Sequence, residues 1–266
     1  MAGEGGRGIG GVLLDVDGVL VVSWEPLAGA AETLRWLDRR NIPFALVTNT
    51  TTLSRRSLAA RLSRAGLDVE PDRMVTAGVA TAAYLRRNHP RGKCYLLATG
   101  DVAEDLAGID LVDDGADVVV VAGAEDALTY EAMNRAFRML RDGASLVAMH
   151  RNIWWMTSEG PKLDAGPYVT ALEEAAGVRA AVVGKPSAEV FLTAVGLLGV
   201  PAEQAMMVGD DLDADVLPAQ AIGLTGVLVR TGRFREGDPP ESARPDHVID
   251  SVGDVPGLFD RLREGR

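Results

Sequence analysis

The chain has 266 residues, 47% of them hydrophobic and 24% charged, enough to bury one large core or two modest ones. A formal net charge of -11 argues against nucleic-acid binding and against docking on anionic membranes. One cysteine, Cys94, excludes an internal disulfide and a cysteine-based zinc cluster; with no long apolar run and no signal-peptide pattern, a soluble cytoplasmic protein is expected.

Residues 1–10 are Gly-rich and read as a flexible tail. Gly6, Gly8 and Gly11 match G-x-G-x-x-G formally, but that fingerprint must follow a strand and open a helix, and here it precedes the first strand. Val12–Leu14 is a short apolar run that predicts a buried strand ending at Asp15 and Asp17, with Gly18 to turn the backbone. Side chains two apart point the same way while a strand persists, and two like charges so placed call for a cation between them. A plain Asp-Gly turn uses the same letters, so the pair gains meaning only in combination with three later segments of the chain.

After an irregular connection over Val21–Glu25, Pro26 opens a predicted helix to about Arg40. Phe44–Val47 reads as a second buried strand that stops at Thr48-Asn49-Thr50, and Ser54–Ala65 as a helix stopped by Gly66. Strand and helix alternating at this spacing predict right-handed βαβ units and a parallel sheet. From about Gly78 the alternation continues, but the polar strand ends no longer look catalytic. Strands are expected over Cys94–Ala98, Val118–Val121 and Ser145–Met149, with helices over Val79–Asn88, Tyr130–Arg141 and Tyr168–Ala176. Between the last strand and the last helix lies a long non-periodic stretch, His150–Gly166, holding Arg151, Trp154, Trp155 and Asp164; loops of that length are usually functional. Residues 78–180 therefore read as an inserted second domain, and 11–77 with 181–266 as one discontinuous domain.

The return begins with a short strand, Ala181–Val183, before Gly184-Lys185-Pro186, and a helix over Ala188–Leu198. Ala205–Val208 is another buried strand, ending in Gly209-Asp210-Asp211-Leu212-Asp213-Ala214-Asp215. A helix to Ile222, a strand Gly226–Val229, a Pro-rich loop Gly237–Pro245 and a helix Val252–Leu262 complete the pattern. Alternating Asp211, Asp213 and Asp215 suggest a calcium loop, but Val216 stands where its glycine belongs and no glutamate stands at the required place beyond it. If the strands before Asp15, Thr48, Lys185 and Asp210 share one parallel sheet, their polar ends converge at its carboxyl edge, where open α/β folds bind ligands. Each end also has a bland reading: a helix cap at Thr48-Asn49, a solvated turn at Lys185, a dipole-complementing helix start at Asp210–Asp215.

The order DVDGV, TNT, GKP and GDDLDAD resembles the haloacid dehalogenase superfamily of phosphohydrolases. The insertion between TNT and GKP is similar to the C2A cap of the NagD-like subfamily IIA. The runs VTNTT, GPYVTALEEAAGV before VVGKP, and QAIGLTGVLVRTGRFR resemble the phospholysine/phosphohistidine phosphatase branch and its haloacid dehalogenase-like domain-containing relatives. The likeness spans about residues 11–262. It implies an α/β fold, a Rossmann-like parallel-sheet core with an inserted α/β cap. It also implies a nucleophile at Asp15, a general acid and base at Asp17, a phosphate-binding hydroxyl at Thr48 and a charge-neutralising Lys185. Gly18 and Asn49 would adjoin the phosphoryl group. Mg²⁺ would be held by Asp15, Asp210 and the main-chain carbonyl of Asp17. Asp211 and Asp215 keep two roles, touching the metal through water or orienting Lys185. Trp154 and Asp164 are the expected cap residues for substrate, with cap core packing the competing reading for one of the two tryptophans. TNT in place of the common TNN leaves the leaving group unread. The expected activity is Mg²⁺-dependent hydrolysis of a small phosphorylated metabolite, a sugar phosphate or nucleotide. The alternatives are phosphoramidate hydrolysis and non-catalytic sensing of a phosphorylated ligand. No nucleic acid or membrane partner is expected, and a homodimer through the cap is.

Overall fold

The computed structural model describes residues 8–123, 126–157, 160–234 and 244–264. The chain divides into two compact units. One comprises the residues up to Thr48, Leu58–Val75 and those from Val190 onward; the other comprises Asn49–Ser57 and Thr76–Glu189.

The first unit is built on a parallel six-stranded sheet in the order His247–Ile249, Thr225–Val229, Ala205–Gly209, Gly11–Asp15, Phe44–Thr48, Met74–Thr76. Val12, Leu13 and Leu14 are fully buried, as are Leu46, Val47, Met207 and Val208 on the flanking strands. A central parallel strand is covered on both faces, which is why these segments read as unbroken apolar runs. Leu14 pairs with Val208 on one side and Leu46 on the other, and Asp15 pairs with Val47. That register brings Asp15, Thr48 and the Gly209-Asp210 step to the same end of the sheet.

The second unit has a parallel four-stranded sheet in the order Ala181–Val182, Ser145–Ala148, Val118–Val121, Cys94–Leu97. Leu97, Val119, Val121, Leu146, Val169 and Leu172 are central to its core. Helix Tyr130–Arg141 is capped by the Thr129 side chain, and helix Ala165–Ala176 starts at Asp164 and stops at left-handed Gly177.

Several expectations change. The strand before Lys185 pairs with Ser145–Ala148 in the second sheet, so the four polar strand ends do not share one sheet. Its two half-buried residues form a sheet edge, and nothing in an Ala-Val-Val run tells one edge from another. The stretch 150–166 contains an antiparallel hairpin, Trp154–Thr157 with Gly160–Leu163. The connection after Asp17 is likewise a small hairpin, Val21–Val22 with Glu25–Pro26, whose turn residues Ser23 and Trp24 have positive φ. Pro26 therefore lies in a strand, and the helix begins later, at Ala30. Edge strands Met74–Thr76 and His247–Ile249 are too short to give a periodicity signal. The Pro-rich loop falls mostly outside the described residues. No helix among the described residues is long and apolar enough to cross a membrane.

Candidate active site

Asp15 ends its strand with the side chain 5% exposed, and its Oδ1 accepts the Val16 N–H at 2.7 Å. The next turn closes on itself: Gly18 N–H donates to the Val21 carbonyl at 2.7 Å, and Asp17 bridges Val21. Asp17 is exposed, so its carboxyl is open to exchange protons with water. From the neighbouring strand come Asp210, 5% exposed, and Asp215, 1% exposed. One carboxylate oxygen from each of Asp15, Asp210 and Asp215 lies within 4.8 Å of the others. Burying three carboxylates that close together is electrostatically costly unless a cation is shared among them. The donor set is all oxygen, which suits a hard divalent ion.

Asp215 joins this group because residues Leu212–Val216 form a π-helical turn that carries it back over the strand end. A Cβ on Gly209 would sit 2.3 Å from the Asp215 Cβ, so only glycine admits that approach. Asp211 faces elsewhere: its Oδ1 accepts the Asp213 and Ala214 N–H groups at 3.0 Å each. Its Oδ2 meets Arg233 Nη1 at 2.9 Å. Burial works against ionisation of Asp211, but the Ala214 amide and the Arg233 guanidinium outweigh it and hold its pKa below the ordinary range. Burial likewise opposes the charge on Arg233, yet the hydrogen bond and charge of Asp211, with Asp210 and Asp15 beyond, raise its pKa. Nothing in the sequence singles out Arg233, one arginine among many in a run read only for its resemblance. Thr48 ends its strand almost fully buried.

In the second unit Lys185 is 6% exposed, and its main chain is held on both sides by one residue. Asn49 Nδ2 donates to the Lys185 carbonyl and the Lys185 N–H donates to Asn49 Oδ1, each at 2.8 Å. Asn49, expected beside the phosphoryl group, therefore positions Lys185. Asp164 caps its helix, its Oδ1 accepting the Ala165 N–H at 2.8 Å and lying 3.6 Å from His150 Nε2. His150 is buried; Asn152 N–H donates to its Nδ1 at 3.2 Å, and Nε2 lies 3.4 Å from Thr51 Oγ1. Burial pushes the His150 pKa down, against the pull of Asp164. Trp154 and Trp155 are 57% and 44% exposed on the hairpin. Among the described residues, then, one carboxylate cluster forms in the first unit, while Lys185 with Asn49, and Asp164 with His150, form separate pairs in the second.

A parallel sheet whose central strands end in clustered aspartates, the first beside an exposed second aspartate, defines a hydrolase of the phosphoryl-transfer kind. Two family models match: haloacid dehalogenase-like hydrolase over residues 12–112 and the related HAD-hydrolase-like model over 182–255. The human haloacid dehalogenase-like hydrolase domain-containing protein 2 is 36% identical over 242 residues, covering 91% of this chain and 92% of that protein. The human phospholysine phosphohistidine inorganic pyrophosphate phosphatase is 35% identical over 260 residues, covering 95% and 94%. The 4-nitrophenylphosphatase of Thermotoga maritima superposes with a TM-score of 0.86 at 31% identity, covering 96% of this chain and 97% of that one. NagD of E. coli gives 0.85 at 29%, covering 93% and 98%. The chain belongs to the haloacid dehalogenase-like hydrolases, in their NagD-like subfamily IIA, and is a phosphohydrolase.

Proposed function

We propose that this enzyme is a Mg²⁺-dependent phosphatase of small phosphorylated metabolites, sugar phosphates or nucleotides, acting in the cytoplasm through an aspartyl-phosphate on Asp15. The observation that carries the reading is the buried oxygen cluster of Asp15, Asp210 and Asp215 at the carboxyl edge of the sheet. Asp15, Asp210 and the Asp17 carbonyl would hold the ion, with Asp215 beside them. When bound, Mg²⁺ supplies positive charge that offsets the phosphate dianion and lets a carboxylate approach it.

In this reading a carboxylate oxygen of Asp15 attacks phosphorus and the bond to the leaving-group oxygen breaks. The Asp17 carboxyl gives that oxygen its proton. Water then loses a proton to the Asp17 carboxylate and attacks the acyl phosphate, releasing phosphate and restoring Asp15. Thr48 donates to a phosphoryl oxygen, and Lys185, aimed by Asn49, stabilises charge developing on the others. Residues 78–180 act as the cap that excludes water and selects the leaving group, with Trp154 and Asp164 as its candidate contacts and a homodimer formed through it.

Likeness to a phospholysine phosphohistidine pyrophosphate phosphatase favours a second substrate class, phosphoramidates, for which the same two steps would cleave a P–N bond. Hydrolysis of p-nitrophenyl phosphate with and without Mg²⁺, beside the Asp15→Asn protein, tests the reaction. Metal-dependent turnover falling by on the order of 10⁴-fold in the variant is expected. Turnover that survives either EDTA or the substitution refutes the mechanism, and a panel of sugar phosphates, nucleotides and phosphohistidine then separates the substrate classes.

A further inference from the structure

The loop Thr231–Arg233, which follows strand Thr225–Val229 in the first unit, grips the acid-bearing loops at three points. The Thr231 hydroxyl donates to the Gly18 carbonyl at 2.5 Å. The Arg233 main-chain N–H donates to Asp210 Oδ2 at 2.7 Å, and its guanidinium takes Asp211 Oδ2 at 2.9 Å. Gly232, at φ 61°, leaves room for the same Asp210 oxygen: a Cβ there would lie 2.0 Å from Oδ2. A Cβ on Gly18, at φ 84°, would also lie 2.0 Å from it. Asp210 Oδ2 is thus walled by two side-chain-free backbones and tied by a main-chain amide.

A carboxylate normally turns broadly about its terminal torsion, and a cation must freeze that motion on binding. Here the torsion is already set, and by a segment that also holds the turn carrying Asp17. We propose that Thr231, Gly232 and the Arg233 amide form a positioning clamp that presets Asp210 for a divalent cation and ties the Asp17-Gly18 turn to the same frame. The inference rests on the metal-dependent reading above. The Arg233 side chain is the outermost part of the clamp, because it holds Asp211, which faces away from the cluster, and it is itself 71% exposed. The substitutions should therefore rank Gly232→Ala above Thr231→Val above Arg233→Ala.

Titration of the full-length protein with Mg²⁺ in a calorimeter reads the clamp directly, with circular dichroism and p-nitrophenyl phosphate turnover measured alongside. Thr231→Val, which removes one hydrogen bond at nearly constant shape, should weaken Mg²⁺ about five- to tenfold with the fold intact. Thr231→Ser should restore binding to within about twofold of the parent. Gly232→Ala should weaken it more than tenfold; if that variant does not fold, the Thr231 pair decides. Mg²⁺ affinity unchanged in Thr231→Val, whatever its turnover, overturns the clamp. A parent protein that turns over substrate without taking up Mg²⁺ overturns the metal-dependent reading instead, and is seen before any variant is made.

Discussion

The turn Asp210–Asp215 and the hairpin Trp154–Leu163 stand at opposite physical extremes. In the first, the Asp210 and Asp215 carboxylates are buried and accept main-chain amides, while half-buried Asp211 takes the Arg233 guanidinium. In the second, apolar side chains are exposed: Ile153 just before the hairpin, Trp154, Trp155 and Leu163 all face water. Chemistry and cation binding both need fixed geometry, and Asp210, Asp211 and Asp215 each arrive with neighbours that fix them. A surface that meets varied partners needs exposed area more than fixed rotamers. The inversion of the usual rule, charge inside and tryptophan outside, marks both regions as more than scaffold.

The largest break in this comparison comes from removing one acid of the turn. Asp210→Asn should lower kcat/KM by about 10³-fold, and it should also reverse a stability effect. Without metal, three clustered carboxylates repel, so the neutral variant should melt at the same temperature as the parent or higher. With millimolar Mg²⁺ the parent should gain stability by ligand linkage and the variant should gain little. Melting curves with EDTA and with Mg²⁺ give four values. A parent whose melting temperature ignores Mg²⁺ would contradict the reading of the cluster as a cation site.

The second unit has its own buried charge, which supports structure rather than chemistry. Glu173, fully buried in its helix, takes Arg151 through both oxygens at 2.9 and 2.8 Å and also accepts the Ala180 N–H at 2.8 Å. Glu173→Ala should cost about 2 kcal/mol, less than for a fully buried pair because Arg151 is partly exposed and regains water. Chemical denaturation followed by tryptophan fluorescence measures it. Loss of turnover in that variant at temperatures where it remains folded would give this pair a part in the chemistry.

A smaller effect separates the two titrating groups of this unit. Burial opposes the charge on Glu173, but the Ala180 amide and Arg151 prevail and lower its pKa. Its contribution is present above the ordinary carboxyl value and is lost as pH falls through the lowered one. His150 also has a lowered pKa, so its contribution is present above 6.5 and is lost as pH falls from there toward the depressed value. Stability should therefore decline in two acid windows, the upper one from His150. Denaturation midpoints between pH 7.5 and 5.5 should flatten in His150→Gln. An equal slope in parent and variant would remove His150 as the cause.

These contrasts explain which parts of the molecule are legible in the sequence. Asp15, Thr48 and Asp210 end apolar runs, and a buried parallel strand leaves that mark because both its faces are covered. Lys185 stands out in the sequence as a candidate, but the sequence points its strand to the wrong sheet, since a two-residue edge strand carries no pattern. Asp215 keeps an open role in the sequence because its place depends on a π-helical turn and on Gly209, which spacing does not reveal. Asp164, a candidate substrate contact in the sequence, also caps a helix, a role that Asp at the head of a helical segment commonly fills. Arg233 acts through its main-chain amide, and no side-chain reading finds an amide.

The hairpin gives the smallest expected effect and the sharpest use of the comparison. Trp154 pairs across the strands with Leu163 and is more than half exposed. Trp154→Ala should change stability by no more than about 0.5 kcal/mol, as at other exposed positions. What it does to kinetics then reads function without a folding term. If the cap selects the leaving group through this strand, KM for a bulky substrate should rise severalfold while kcat for p-nitrophenyl phosphate holds, since the aspartates proposed to do the chemistry are untouched. If the exposed rings instead serve pairing of two copies, sedimentation of the variant should shift toward monomer with KM unchanged. A variant identical to its parent in both would return the tryptophan to ordinary surface, and the selection of substrate would have to lie elsewhere in the second unit.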